Sequence, residues 1–481
     1  MQKKLYIPIM IILIGLFRFA GAQTDTSFWF GVPNFDPTYA DEPIRLVLCP
    51  TVGGTKVVID VPANPSFVPI TINLVANECE VVDLSTFKGI LEADPANSIL
   101  DRGIRILADN NISAYFELAN LNEESSDYFT CKGRVALGTE YIIPGQNLWQ
   151  VDQSVGSDVH HGFVIVATEN STTVQITPKV NLVGHPAGLP FTVTLNAGQV
   201  WSGVSTSAGA NGSPVGTMIT SNREIAVTNY TDAGSNPALG TCQDLMGDQL
   251  LPTTSIDLEY ILVKGSLGTP NSRYECQAGS KGGSGKGQSN ISPYPDKVFI
   301  TALFNSTVVT IDGNTNIVVN KGQTQVVNLN DPSMHILASA PIYVYQATGN
   351  GCESAASVVP PLRCSGMTNS LIYRNTEEDM YLMLIVPQGG ENGFRINGNS
   401  ALVQSNAFSP VPGTNGKWMA ARVLLGNKGA NGVQPGKTSV IENIDGEKFR
   451  MGLIHGCALN TASFAYFADY YKVVNDPIYH Y

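Results

Sequence analysis

Charge is scarce in this chain. Asp, Glu, Lys and Arg make up 14% of its 481 residues, and acids outnumber bases 40 to 28, for a net charge of −12. That balance lacks the basic footprint of a nucleic-acid binder and suits an anionic membrane surface no better. Apolar runs long enough to cross a bilayer are missing beyond Phe17, so the mature chain is expected to carry no transmembrane segment. C-x-x-C and Cys/His spacings of the zinc type are absent, as are H-E-x-x-H and G-x-S-x-G. No segment holds a sustained helical stripe with caps. Metalloprotease, α/β-hydrolase and helical-bundle readings lose their footing together.

What is present starts with Lys3 and Lys4, an apolar run from Leu5 to Phe17, and Ala20-Gly21-Ala22. The pattern predicts a secretory signal peptide over residues 1–22, cut after Ala22. Gln23 follows where a lipid-anchored protein would have Cys. The expected destination is secreted, cell surface or periplasm. All eight cysteines (Cys49, Cys79, Cys131, Cys242, Cys276, Cys352, Cys364 and Cys457) fall in the exported part, where disulfides persist. Eight cysteines permit on the order of a hundred pairings. Cys352 and Cys364 are the nearest local pair and the disulfide expected first.

The 47 glycines and frequent Asn/Ser/Thr turns separate short runs that alternate with period two, so the chain reads as all-β. Phe163 to Thr168, Val174 to Thr177 and Phe191 to Leu195 are typical strands, and only Asp83 to Leu91 suggests a helical turn. Certain phrases recur. Ile219 and Ile225 lie six apart across S-N-R-E, read as a hairpin with a Ser221-Asn222 turn; Ile106 and Ile112, and Ile336 and Ile342, repeat the spacing. N-S-T-T-V-Q-I at Asn170 matches N-S-T-V-V-T-I at Asn305, with a fainter T-K-V-V-I at Thr55. N-A-G-Q at Asn196 matches N-K-G-Q at Asn320, and E-Y-I-I at Glu140 matches E-Y-I-L at Glu259.

Preserved order predicts four tandem β-rich repeats, bounded at 23–145, 146–272, 292–375 and 376–481. A Gly/Ser-rich linker over 273–291 separates the second from the third. The units are expected to be sandwich-like, with a closed propeller-like ring as the alternative.

Chemistry is harder to find. Of the six histidines, His160 and His161 are adjacent before a strand and should point to opposite faces, a poor geometry for one metal. Asp244 and Asp248 offer paired carboxylates, but the simpler expectation is that Asp248 and Gln249 satisfy backbone groups between units. Glu123-Glu124 and Glu377-Glu378-Asp379 read as solvated charges. Gly279 to Gly287 has Ser280 and Gly287 where a phosphate loop needs Gly and Ser/Thr. Phe28, Trp29, Phe30, Trp149, Trp201, Tyr466, Tyr470 and Tyr471 are either ligand anchors or, the preferred reading, sheet cores. No catalytic residue, cofactor or metal is expected.

G-T-E-Y-I-I-P (Gly138 to Pro144), C-Q-D-L-M-G-D-Q-L-L-P (Cys242 to Pro252) ahead of D-L-E-Y-I-L-V, and N-R-E-I-A-V-T together resemble the IgG Fc-binding protein N-terminal domain. The resemblance covers essentially the whole mature chain. It implies an exported, noncatalytic binding or adhesion protein, with a host or envelope glycoprotein or glycan as partner, mucin or immunoglobulin Fc among them. The alternative is a structural scaffold module of a bacterial cell-surface assembly. No Fc-contact residues are carried over, so the binding residues stay unassigned.

Overall fold

The computed structural model describes residues 24–36, 43–119, 126–239, 242–268, 294–363, 365–425, 432–457 and 461–470. The expected leader, the 273–291 linker, Glu123-Glu124, Cys276, Cys364, Tyr471 and His480 lie outside them. The described chain is mostly β; its one α-helical turn, Lys88–Leu91, follows a 3-10 turn at Ser85–Phe87 inside the Asp83 to Leu91 stretch expected to hold a helical turn, and five other short 3-10 turns lie between strands. Among the described residues no helix is long and apolar enough to cross a membrane.

Strands fall into groups that follow chain order. The first holds β1 (Asp25–Phe30), β2 (Ile44–Pro50), β3 (Thr55–Asp60), β4 (Ile70–Leu74), β5 (Glu80–Asp83), β6 (Ile104–Ala119) and β7 (Ser126–Cys131). The second holds β8 (Gly138–Ile142), β9 (Gln150–Val151), β10 (His161–Ala167), β11 (Thr172–Thr177), β12 (Phe191–Leu195), β13 (Val200–Val204), β14 (Met218–Ser235) and β15 (Gln243–Gln249). Next come β16 (Glu259–Val263), β17 (Ser266–Leu267), β18 (Asp296–Ala302), β19 (Thr307–Ile311), β20 (Thr315–Val319), β21 (Thr324–Leu329), β22 (Ser333–Ala338), β23 (Ile342–Gly351) and β24 (Glu353–Val358). The last are β25 (Asn369–Arg374), β26 (Asp379–Pro387), β27 (Phe394–Ile396), β28 (Ser409–Pro410), β29 (Trp418–Leu424), β30 (Lys437–Asn443), β31 (Arg450–Cys457) and β32 (Thr461–Phe467). The first two groups each form one sheet, and the later two each form a pair of sheets.

The stretch Met218 to Asp232 is not a hairpin. It is part of one 18-residue strand, β14, that leaves one layer and enters another. Its start pairs with β8 and β11; from Ile225 onward it pairs with β10 and then β15. Asn222 and Arg223 are exposed at the corner, while Ile225 to Ala233 are buried. Strands that switch sheets through a bend are a recognised way to build corners, and the polar run that imitates turn chemistry marks that bend. The 16-residue β6 does the same around Ile112. In the third group Pro341, which has no N–H to donate, splits the path into β22 and β23, which join different sheets.

The recurring isoleucines meet in one register. Ile59 faces Ile106, Ile176 faces Ile219, Ile311 faces Ile336 and Ile396 faces Ile441, every one buried. On the other flank Phe28, Tyr141 and Tyr260 face Ile106, Ile219 and Ile336. The hydroxyl of Tyr141 donates to the Ile225 carbonyl (2.7 Å) and that of Tyr260 to the Ile342 carbonyl (2.6 Å). This is what the E-Y-I phrase does: it ties the incoming strand to the corner. β8 and β16 therefore pair with the strands that follow them, although residues 23–145 and 146–272 had been expected to enclose them.

The Asn phrases have an equally local cause. Asn170 accepts the N–H of Ala197 (3.1 Å) and Asn196 that of Ser171 (3.1 Å); Asn305 and Lys321, Asn320 and Ser306 repeat the exchange at 3.2 and 2.9 Å. Ser171 and Ser306 sit at φ 57° and 56°, a left-handed conformation that these side-chain bonds hold in place.

Candidate binding surface

The last strands of the groups, β7, β15, β24 and β32, pack in a closed circuit in which β7 touches β15, β15 touches β24, β24 touches β32 and β32 returns to β7. Each is hydrogen-bonded along its length to the long strand before it, β6, β14, β23 or β31. Their side chains are almost wholly buried, and polar groups in such a place need partners. Asp127 supplies them. One carboxylate oxygen accepts the N–H groups of Tyr128 (2.9 Å) and Phe464 (3.0 Å), and the other those of Gly247 (3.2 Å) and Ala356 (3.5 Å). Burial pushes its pKa well up, against the four N–H bonds.

Asp248, the residue after Gly247 on β15, plays a similar part. It accepts the N–H and hydroxyl of Thr130 (both 3.2 Å), the Lys132 ammonium (2.6 Å), the Ser357 hydroxyl (2.8 Å) and the Val358 N–H (3.0 Å). Gln249 accepts the Lys132 N–H (2.7 Å) and donates to the Trp29 carbonyl (2.7 Å). Asp248 and Gln249 thus satisfy backbone groups between strand groups, as expected. Asp244, four residues away on the same strand, lies roughly 13 Å from Asp248. It is hydrogen-bonded to Glu353 instead.

The histidines are scattered. His160 pairs with Asp158 (3.2 Å), while the buried His161 meets the Thr231 hydroxyl (3.1 Å), and burial pulls its pKa down to about 4. His455 lies between the hydroxyls of Tyr128 (3.1 Å) and Thr376 (3.2 Å), its pKa pulled down to about 3 by burial. His335 meets Glu259 at 2.9 Å and His185 meets Asn97 at 2.8 Å. A cleft of about 520 Å³ is lined by Asp36 and residues 153–158, with no histidine, cysteine or lysine in its wall.

Two expectations need correction. Cys352 is bonded to Cys242, 110 residues away, and not to its neighbour Cys364; a second bridge joins Cys49 and Cys79. Closeness in sequence misled because β24 packs across the ring against β15. Of the acidic run 377–379, Glu377 is exposed but Asp379 is buried. The backbone there curls around the buried guanidinium of Arg374, which donates to the carbonyls of Thr376, Glu377, Glu378 and Val433. The described aromatic candidates, Phe28, Trp29, Phe30, Trp149, Trp201, Tyr466 and Tyr470, are all buried, which assigns them to the cores.

Exposed apolar groups gather elsewhere, on the outward side of β19, β20 and β22. Val308 (39% exposed) faces Val318 (63%) across two strands, Leu337 (44%) follows on the third, and Phe304 (56%) stands in the turn before β19. In the corresponding register of the second group these positions are Thr173, Thr194, Thr220 and Glu169, the last ion-paired with Arg223. In the first group the strand pair is Lys56 and Asn73. The third group thus presents an apolar face where the second group is polar, and β20 is the edge strand of its sheet. Contiguous exposed apolar patches mark interaction sites. The sequence carried this signal in the V-V-T-I against T-V-Q-I difference, which a search for catalytic motifs passes over.

No curated protein matches the chain. A solved structure titled "Crystal structure of tetra-tandem repeat in extending region of large adhesion protein" aligns over 93% of this chain and 99% of its own at 9% identity, but with a TM-score of 0.10 the likeness carries no argument. A family model described as IgGFc binding protein matches residues 129–441, from within β7 to within β30. With that match spanning most of its length, the chain belongs to the IgGFc binding protein family.

Proposed function

We propose that this chain is an exported, noncatalytic binding or adhesion protein, made of four copies of one β unit, that holds a host or envelope glycoprotein or a glycan. The family supports binding as the general activity, and the two bridges Cys49–Cys79 and Cys242–Cys352 suit an oxidising destination. The observation that carries the reading is the apolar outward face of Phe304, Val308, Val318 and Leu337, set against threonines and an ion pair at the matching positions of the second group. A ligand that docks there buries surface that water now covers, and the free edge of β20 offers backbone groups to an extended segment.

The test is to present the full chain to immunoglobulin Fc, mucin, envelope fractions and a glycan array. The comparison protein is the variant F304E/V308T/V318T/L337T, which copies the second group's face. Saturable binding by the native chain, lost in a variant that unfolds at the same urea concentration, supports the reading. Binding that survives the four changes moves the site elsewhere, and absence of any saturable partner favours the alternative, a scaffold module of a surface assembly. N-terminal sequencing of the secreted protein checks the cut after Ala22.

A further inference from the structure

The loop after the strand of each recurring isoleucine differs in length among the four groups. After β3 and β11 it covers residues 61–69 and 178–190, and after β27 residues 397–408. Each of these loops sends apolar side chains into its own core: Phe67, Leu182, and Val403 with Phe408, all buried. After β19 only Asp312, Gly313 and Asn314 precede β20, none with an apolar side chain. The second group shows how a longer loop is seated. Leu182 pairs antiparallel with Ser205, just past β13. The Val183 N–H donates to the Val204 carbonyl (2.9 Å) and the Thr206 N–H to the Asn181 carbonyl (3.1 Å), so residues 181–183 act as a short extra strand. Matching N-A-G-Q with N-K-G-Q puts Val204, Ser205 and Thr206 at Asn328, Leu329 and Asn330 of the third group. Leu329 faces Asp296 on β18 as Ser205 faces His161 on β10, which turns the Asn328 carbonyl and the Asn330 N–H to the other edge. There β21 has no neighbouring strand. A cleft of about 280 Å³ lies at that place, with buried Ile311, Leu329 and Met334 in its floor and exposed Asn328, Asn330 and Asp331 at its rim. Ile311 keeps 8% exposure where Ile176, beneath a filled site, has none.

We propose that this cleft receives an extended segment of a partner protein, laid antiparallel on β21, with a leucine-class side chain seated on Ile311, Leu329 and Met334. The occupant is defined by what fills the same place in the second group: a stretch like Asn181-Leu182-Val183, uncharged and apolar at its centre. Its backbone bonds to the Asn328 carbonyl and the Asn330 N–H, as Val183 and Asn181 bond to Val204 and Thr206. In such strand addition main-chain bonds supply affinity and the side-chain pocket supplies selectivity. The cleft uses none of Phe304, Val308, Val318 and Leu337. It is a second site, independent of the outward face.

The probe is a fluorescein-labelled synthetic peptide, K-V-N-L-V-G, copied from residues 179–184, titrated with the full chain and followed by anisotropy. Saturable binding is expected. The same peptide carrying Leu182→Asp should bind at least about 10-fold more weakly, for want of a buried leucine. Replacing residues 312–314 of the full chain by residues 178–190 should fill the cleft from within and abolish binding. Met334→Thr, which installs the residue the second group has there, Thr217, should weaken binding at least about 3-fold and keeps the test open if the loop replacement fails to fold. The variant F304E/V308T/V318T/L337T should bind the peptide as the native chain does, so failure of the outward face and failure of this cleft are read separately. Absence of saturable binding, equal binding of the two peptides, or binding undiminished by Met334→Thr or by a folded loop replacement would overturn the proposal. A dimer in gel filtration that the loop replacement dissolves would give the cleft to a second copy of the chain, and overturns it too.

Discussion

The Asp127 carboxylate accepts the N–H of Phe464 at 3.0 Å, a bond between residues 337 apart in the chain that fastens β7 to β32. The same side chain reaches Gly247 on β15 and Ala356 on β24, so one residue touches every strand of the ring.

Asp127→Ala should therefore destabilise the whole molecule and not the first group alone. It leaves four N–H groups in a dry centre without an acceptor, and at about 1–3 kcal/mol for each such group even partial rescue by water leaves a large loss. Urea unfolding followed by circular dichroism and by tyrosine fluorescence should shift together. A shift confined to one probe would mean that the ring is not a cooperative unit.

Lys132 and Asp248 form an ion pair with both side chains fully buried. Lys132→Met strands Asp248 without its cation and should cost about 3–5 kcal/mol. Arg223→Met, which breaks the exposed pair with Glu169, should change stability by less than about 1 kcal/mol. Equal effects in urea melts would contradict the contrast in burial.

Stability should fall as pH rises from 6.5 past 8. Burial, with the charges of Asp36 and Asp158 nearby, holds the Asp232 pKa up at about 8, while its Oδ2 accepts the Asp36 N–H. A carboxyl raised in the fold keeps a proton that the unfolded chain has already lost near pH 4, so its contribution is fully present below that pH and is lost as pH climbs through 8. His161 and His455, with pKa values lowered to about 4 and about 3, act in the opposite sense. They do so only below their unfolded value of 6.5, which leaves the upper window to the raised carboxyls, Asp232 together with Asp244, held at about 7, and Asp127. Asp232→Asn should flatten the decline in thermal midpoint between pH 6.5 and 8.5; an unchanged slope would assign it to another group.

Ile225→Asp should unfold the protein, because the side chain is fully buried at the corner of β14 and an unpaired carboxylate there has no compensation. Tyr141→Phe, which removes the hydroxyl shared by the Ala136 and Ile225 carbonyls, should cost about 1–2 kcal/mol. If Ile225→Asp kept its stability and lost partner binding alone, the corner would belong to the site and not to the scaffold.

The all-β class and the recurring phrases were legible because they are local. Alternation puts Ile176 and Ile311 inward, and Asn170 with Asn196 fixes a turn through its own side chains. The corner at Asn222 was misread because a bend between sheets and a hairpin turn use the same small polar residues, and only the partners of Ile219 and Ile225 tell them apart. Those partners sit on β11 and β10, and nothing in the spacing of β14 reports them. The ring and the Cys242–Cys352 bridge were hidden for the same reason, their contacts being set by how whole groups pack. D-L-M-G-D-Q held a usable trace: a fully buried strand with two acids in it must meet donors from somewhere. The apolar face at Val308 and Val318 was visible residue by residue, but it became informative only when register placed it against Thr173 and Thr194.

Closure between β7 and β32 also sets a timetable. A chain that emerges N-terminus first presents Asp127 early, yet the N–H of Phe464 arrives 337 residues later, so the circuit stays open while all of those residues are made. Contacts this distant make for slow assembly. Until the last strand docks, the buried flanks of β7 and β24 are open to solvent, and that interval is when a folding helper, or a misplaced neighbour, would find them.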